Sequence, residues 1–337
     1  MKIGKGIRLF AFGALIASVT LFTAACGTTT NTAKPQDSGT PKAVTSDYPN
    51  RAVTLIVAYG PGGTDTTARV LASGLEKQLG QPVTVQNVVG GGGWSGWGQL
   101  ANAKPDGYTI GYINVPNMFT GYLDPKLKRK ENLESFTPIM NHVTDSCVWI
   151  VSADSQFKTL KDLIDYAKAN PSKITIANHG VGGDDDLGRM QVEKATGAKF
   201  SVIQNTGTSD SLTQLLGKHV DVVGANVSEV LSLQKEGKIR VLGIENDKAS
   251  EFLPNVKTFK EQGVDVVMFA GRGIAAPAGT PADVIAKLSV ALQKTINDPA
   301  HQAKAKELGL ALDVKSGADY NKFLKTNEQL VKNLMGW

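Results

Sequence analysis

The residues best suited to chemistry in this 337-residue chain begin with Tyr59-Gly60-Pro61-Gly62-Gly63-Thr64-Asp65, set between a β-branched run and an apolar stripe of helical period. Residues without a Cβ let successive backbone N–H groups converge on one point, and a helix start adds unpaired donors carrying partial positive charge. Gly62 and Gly63 in such a turn suit a carboxylate or another oxyanion. Thr64 supplies a hydroxyl donor, and Asp65 can cap the helix or hold an ordered water. Tyr59 can cover an apolar part of a ligand or pack as an ordinary aromatic. A second glycine-rich segment, Asn178-His179-Gly180-Val181-Gly182-Gly183-Asp184-Asp185-Asp186, again precedes a helical pattern. Here Asp184 or Asp185 either caps the helix or accepts a bond from a ligand amino or hydroxyl group. One histidine beside adjacent acids is weak evidence for a metal, so no metal site is expected.

Five further positions have weaker claims. Asn226 follows a strand-like run at 220–224 and would reach a cleft in a doubly wound lobe, although a polar loop explains it equally well. Thr206 and Gly207 also end a strand and can contribute donors. Arg272 has the fork geometry for a second carboxylate, with an ion pair as the alternative. Arg69 lies four residues after Asp65, which favours a pair within the helix.

The elements that must position these residues alternate. Residues 53–58 form a strand pattern, and Ala68, Leu71, Ala72, Leu75 and Leu79 form the stripe of a helix stopped by Gly80. Strands are expected at 82–88 and 109–113, joined through the turn Lys104-Pro105-Asp106-Gly107. Further strands are expected at 148–151, 174–178, 200–204, 220–224, 240–244 and 264–269. Thr159 and Asp162 open a helix as a cap and its acidic partner, and Pro281 takes a first helical position. The class is therefore α/β with two lobes, 48–145 plus 266–337 and 146–265, each a mostly parallel sheet flanked by helices.

The beginning of the chain addresses the compartment. Lys2, Lys5 and Arg8 precede an uncharged apolar run at 9–22, the pattern of a secretory leader, which is too short for the about 20 residues of a spanning helix. Thr23-Ala24-Ala25-Cys26-Gly27 resembles a bacterial lipobox, so residues 1–25 are expected to be removed and Cys26 lipidated. Residues 26–47 lack the apolar content to fold and read as a tether. Without the leader the formal charge falls from +5 to +2. No basic block interleaved with aromatics occurs, which excludes the usual electrostatic footprint of nucleic-acid binding. Cys147 would be the remaining cysteine, so neither an intrachain disulfide nor a cysteine zinc site is expected.

Enzyme motifs find little support. Gly91-Gly92-Gly93-Trp94-Ser95-Gly96 fits the dinucleotide spacing, but the following strand ends at Ile113-Asn114 without the acid that would hold a ribose. Packing of Trp94 and Trp97 against a close backbone is the alternative. Neither a nucleophile elbow nor H-E-x-x-H is present, and no catalytic residue or cofactor is assigned.

Taken in order, Tyr48-Pro49-Asn50-Arg51, Pro61-Gly62-Gly63-Thr64-Asp65, Leu79-Gly80-Gln81-Pro82-Val83, Pro105-Asp106-Gly107-Tyr108-Thr109, Gly180-Val181-Gly182-Gly183-Asp184-Asp185, Leu215-Leu216-Gly217-Lys218-His219-Val220-Asp221 and Ala276-Pro277-Ala278-Gly279-Thr280-Pro281 resemble the substrate-binding proteins of tripartite tricarboxylate transporters, the Bug family. The resemblance covers nearly all of the chain after the tether. It implies a two-lobed periplasmic-binding-protein-like fold (type II) that captures a small organic carboxylate and meets integral membrane transporter subunits. It also implies a clamp of Gly62, Gly63, Thr64 and Asp65 facing one of His179, Gly180, Gly182, Gly183, Asp184 and Asp185. A monomer anchored by lipid on the extracytoplasmic face is expected. An exported carboxylate sensor or an enzyme-like binding protein without a transport role is the alternative.

Overall fold

The computed structural model describes residues 47–337; the leader, Cys26 and all but the last residue of the tether lie outside the described residues. In chain order the elements are β1 (Val53–Val57), α1 (Gly63–Leu79), β2 (Val83–Asn87), α2 (Trp94–Ala101), β3 (Thr109–Val115), α3 (Asn117–Leu123), β4 (Phe136–Ser152), α4 (Leu160–Ala169), β5 (Thr175–Asn178), α5 (Asp184–Thr196), β6 (Ser201–Gln204), α6 (Thr208–Leu216), β7 (Val222–Asn226), α7 (Val227–Lys235), β8 (Ile239–Ile244), β9 (Phe269–Pro277), α8 (Ala282–Ile296), α9 (Pro299–Glu307), β10 (Leu312–Ser316) and α10 (Gly317–Met335).

The strands run in the order β2-β1-β3-β9-β4-β7-β5-β6, with β8 and β10 both pairing β4. The 17-residue β4 is shared: its first part pairs with β9, from Phe136 opposite Pro277 to Ser146 opposite Phe269, and its last part pairs with β7 and β8. Parallel pairing is confined to β2-β1-β3 and β6-β5-β7. Every pairing that involves β4 or β9 is antiparallel, so the sheets are mixed rather than mostly parallel. Crossover helices enforce parallel strands within each trio, whereas β4 and β9 traverse the middle of the sheet in opposite directions.

Apolar periodicity produces the packing. On α1, Leu71 and Leu75 are fully buried against Leu55 of β1 and against Leu288 and Leu292 of α8. Each such leucine contributes about 1.5–3 kcal/mol by leaving water. Gly80 ends α1 with φ 66°, and its N–H returns to the Glu76 carbonyl. Thr159 and Asp162 form the expected capping box at α4. The dinucleotide-like glycines are used for packing. A Cβ on Gly96 would lie 2.8 Å from the Ala58 Cα, and one on Gly93 would lie 2.7 Å from the Trp97 ring. Pro281 stands one residue before α8, at its N-cap. Residues 264–268 form no strand, and the expected strand begins only at Phe269.

Within β4, His142 is fully buried, with Nδ1 2.8 Å from the Tyr112 hydroxyl and Nε2 3.0 Å from Nε2 of His301. Burial, reinforced by His301 and Arg272, pushes His142 down to about 3. In the unfolded chain the same imidazole titrates near 6.5. Between those values the unfolded state binds a proton that the folded state refuses, so stability falls as pH falls from about 6.5 toward 3. His142→Gln is expected to flatten the acid decline of the melting temperature between pH 6.5 and 4, as read by scanning calorimetry; a decline as steep as in the parent would contradict this.

Candidate ligand-binding site

The site is built around the start of α1. Its N-cap is Gly62, and the N–H of Gly63 donates to Glu229 Oε1 at 2.8 Å. Gly63 is required by close approach, because a Cβ there would lie 2.2 Å from Arg272 Nη2. Thr64 Oγ1 accepts from Asn114 Nδ2 at 2.7 Å, which fixes the hydroxyl from the end of β3. The first N–H groups of a helix have no partner within it, so this turn presents donors to the space in front of it.

Arg272, on β9, forms the floor and is 1% exposed. Its Nη1 donates to Asp145 Oδ2 at 2.8 Å and its Nη2 to Asn226 Oδ1 at 2.9 Å, while its Nε has no partner. Burial pushes the Asp145 carboxyl up, against the pull of Arg272 and of the Ser228 hydroxyl, which donates to Asp145 Oδ2 at 2.5 Å. Asn226 Nδ2 passes the network on to Asp184 Oδ2 at 2.8 Å. Glu229 Oε2 accepts from the Asn226 N–H at 2.9 Å, so one carboxylate bridges the starts of α7 and α1.

His179 lies between two carboxylates, with Nδ1 3.0 Å from Asp185 Oδ2 and Nε2 3.2 Å from Asp184 Oδ1. Burial disfavours its protonated form, but Asp185 and Asp184 more than offset this and hold the imidazole charged well above its ordinary range. Burial would likewise raise Asp184, yet His179, Asn226 and Cys147 hold it well below the usual carboxylate range. Burial pushes Asp185 up to about 6 despite the pull of His179. Asp184 is saturated by Asn117, His179, Cys147 and Asn226, so it orients the donors around it rather than offering a free acceptor. The polar atoms of His179, Asp184 and Asp185 lie within 4.8 Å of one another, and the His179 contacts have the spacing of charge-assisted hydrogen bonds. Cys147 is buried, and burial followed by the charge of Asp184 raises its thiol well above the ordinary range, which makes it inert.

The structure brings Tyr59, Gly62, Gly63, Thr64, His179, Asp184, Gly207, Asn226 and Arg272 together around one cavity of about 20 Å³. That is room for roughly one water. Gly180, Gly182 and Thr206 line an adjoining groove, while Asp65, Gly183 and Asp185 line neither. Asp65 is not the cap of α1. It sits inside the first turn, where Arg69 and Asn87 engage its carboxylate at 2.9 Å, and the pair with Arg69 is the expected one. The expected donor role of the α5 start also changes. The Gly182 N–H is taken by Asp186 Oδ2 and the Asp186 N–H by Asp185 Oδ1, so α5 delivers a carboxylate. The starts of α6, through Gly207 and Thr208, of α7, through Asn226 and Glu229, and of α5, through Asp184, share the cavity with α1. Arg272 adopts the ion-pair alternative, with Asp145. Sequence reasoning missed Asn114, Asn117, Asp145 and Glu229. Only Asn226-x-x-Glu229 carried a local signal, since that spacing is a capping box.

Two groups of strands joined through β4, with a donor-lined cavity at the ends of β1, β3 and β7, define an α/β periplasmic binding protein. The chain belongs to the TctC family, the tripartite tricarboxylate transporter family receptors, whose pattern matches residues 67–335. It is 34% identical over 261 residues to a UPF0065 protein from the gbd 5' region of Cupriavidus necator, covering 76% of this chain and 77% of that one. Among solved structures, the periplasmic binding protein BugD is 32% identical, with a TM-score of 0.76 over 85% of this chain and 96% of that one. A periplasmic transporter structure reaches a TM-score of 0.81 at 27% identity, over 86% of this chain and 97% of that one. This is a family of binding receptors, not of enzymes.

Proposed function

We propose that this receptor captures a small organic carboxylate between two lobes, 48–145 with 266–337 and 146–265, and hands it to the membrane subunits of its transporter. The observation that carries the reading is the Gly63–Glu229 hydrogen bond: a carboxylate already occupies the N-terminal turn of α1, above the buried Arg272. A helix start of this kind holds an anion through backbone donors and dipole. In the ligand-bound form, the ligand's carboxylate takes the place of Glu229, with Thr64, Asn114 and the start of α6 as further donors. A cavity of about 20 Å³ corresponds to a closed cleft, so entry requires the lobes to part about the β4 and β9 crossings. Asn226 and Asp184 hold the floor rigid while this happens. Lipidation at Cys26 and the tether at 26–47 would keep a monomeric receptor near its membrane partner.

A melting-temperature screen of the protein against organic acids tests the reading. A bound acid should stabilise the protein by about 2.7 kcal/mol at one hundred times its dissociation constant. Unchanged melting with every acid in the panel would overturn it.

A further inference from the structure

We propose that Glu245, in its neutral acid form, is a positioning residue for the cleft: it seats the start of α5 against the point where the chain crosses between the two proposed lobes. Glu245 follows β8 and is fully buried, and neither of its carboxyl oxygens has a hydrogen-bond partner among the described residues. An ionised carboxylate without a partner at such depth is too costly to keep, so the group holds its proton instead. Its backbone is bonded on both sides. The Glu245 N–H donates to the Cys147 carbonyl at 2.8 Å, and the Glu245 carbonyl accepts from the Met268 N–H at 2.8 Å. The Cys147 N–H in turn donates to the Met268 carbonyl at 3.0 Å, so Glu245 is stitched to both segments that pass from one lobe to the other.

The side chain leans onto α5. A Cβ on Gly188 would lie 2.0 Å from Glu245 Oε2 and 2.8 Å from its Cδ, so the carboxyl takes the space that any other residue at 188 would fill. Glycine inside a helix is destabilising, and close approach is the reason for this one. Gly188 stands one turn past Asp184, through which α5 reaches the cavity and aligns Asn117, His179 and Asn226. Neither Glu245 nor Gly188 lines that cavity. The titratable groups acting on Glu245 are Asp184 and Asp185 of α5 and Cys147 of β4, and none is a cation. Burial first, then Asp184 and Asp185, raise its carboxyl well above the ordinary range; Trp149, whose indole N–H completes no hydrogen bond, opposes them weakly. Loss of the proton would set a further negative charge beside Asp184 and Asp185 and drive α5 off its seat.

Urea unfolding of the ligand-free protein across pH tests the proton. The unfolded chain releases it near 4.3, whereas the fold keeps it, so this group's contribution to stability falls as pH rises above that value. Glu245→Gln keeps the shape and the neutrality without the proton. The ratio of unfolding constants, parent over variant, should therefore grow about tenfold per pH unit from about pH 5.5 to 7. Hydrogen exchange at the Leu187 amide, bonded to the Gly183 carbonyl at 2.8 Å, tests the seat. Gly188→Ala should speed it at least tenfold, and the double variant Gly188→Ala/Glu245→Ala, which removes the colliding carboxyl, should restore it to within threefold of the parent. Malate, citrate and benzoate are the ligand probes: each acid that binds the parent should bind Gly188→Ala at least tenfold more weakly and the double variant within threefold of the parent. A ratio that stays constant with pH, or Leu187 exchange or acid affinity untouched by Gly188→Ala, would overturn the proposal. Unfolding and exchange are read without ligand, so failure of all three acids to bind the parent would count against the carboxylate reading and leave those two results to decide this one.

Discussion

Gly63→Val is expected to weaken ligand binding at least a hundredfold, or about 2.7 kcal/mol, while the protein remains folded. The cause is local. A Cβ at this position would lie 2.2 Å from Arg272 Nη2 and 3.0 Å from Glu229 Oε1, so either the first turn of α1 or the guanidinium must move. Moving the turn misaims the donors; moving Arg272 breaks its bonds to Asp145 and Asn226. Overpacking of this sort costs about 1–3 kcal/mol of stability, which a domain of this size can absorb. Gly60→Ala is the control. Gly60 lines the same cavity, but a Cβ there meets nothing within 4 Å, so affinity should change less than threefold. Titration of both variants with the best acid from the screen separates a specific seat from a generally glycine-rich loop.

Arg272→Met should lower stability by about 3–5 kcal/mol, because it leaves Asp145, itself 1% exposed, without its cation in a low-dielectric interior. Denaturant unfolding is the measurement. Part of the loss follows from the Asn226 Oδ1 acceptor, which is stranded at the same time. The double variant Arg272→Met/Asp145→Leu should recover a substantial share, since replacing a buried pair by apolar groups is often close to neutral. A single variant as stable as the parent would show that the pair does not organise the floor of the site. Ligand affinity should fall in both variants, because Asn226 loses the group that aligns it.

Much of the scaffold was legible because it is written locally. The β1 run, the α1 stripe ending at Gly80 and the Thr159-x-x-Asp162 box each place an element within a residue or two of where it is found. The first part of β4 was not legible. Asn141, His142 and Asp145 interrupt its apolar pattern, yet all three are buried and held from afar, by the Asp313 carbonyl, by Tyr112 with His301, and by Arg272. Residues 264–269 misled in the other direction, since an apolar run can be buried without pairing as a strand.

The same contrast governs the site. The glycines at 62 and 63 were visible because backbone conformation and close approach leave a trace in residue type. The bond from Gly63 to Glu229 spans 166 residues, and the Arg272–Asp145 pair spans 127; no local pattern records such partners. The acid run at 184–186 was ambiguous for a related reason. Whether such carboxylates cap their own helix or brace neighbours depends on what stands opposite, and His179, Asn117, Asn226 and Arg189 stand there.

A crystal structure of the protein with its tightest-binding organic acid tests the central claim most directly. The account predicts a ligand carboxylate oxygen about 2.7–3.2 Å from the N–H groups at the start of α1, with Glu229 displaced from Gly63. A ligand bound elsewhere, with the Gly63–Glu229 hydrogen bond intact, would contradict it.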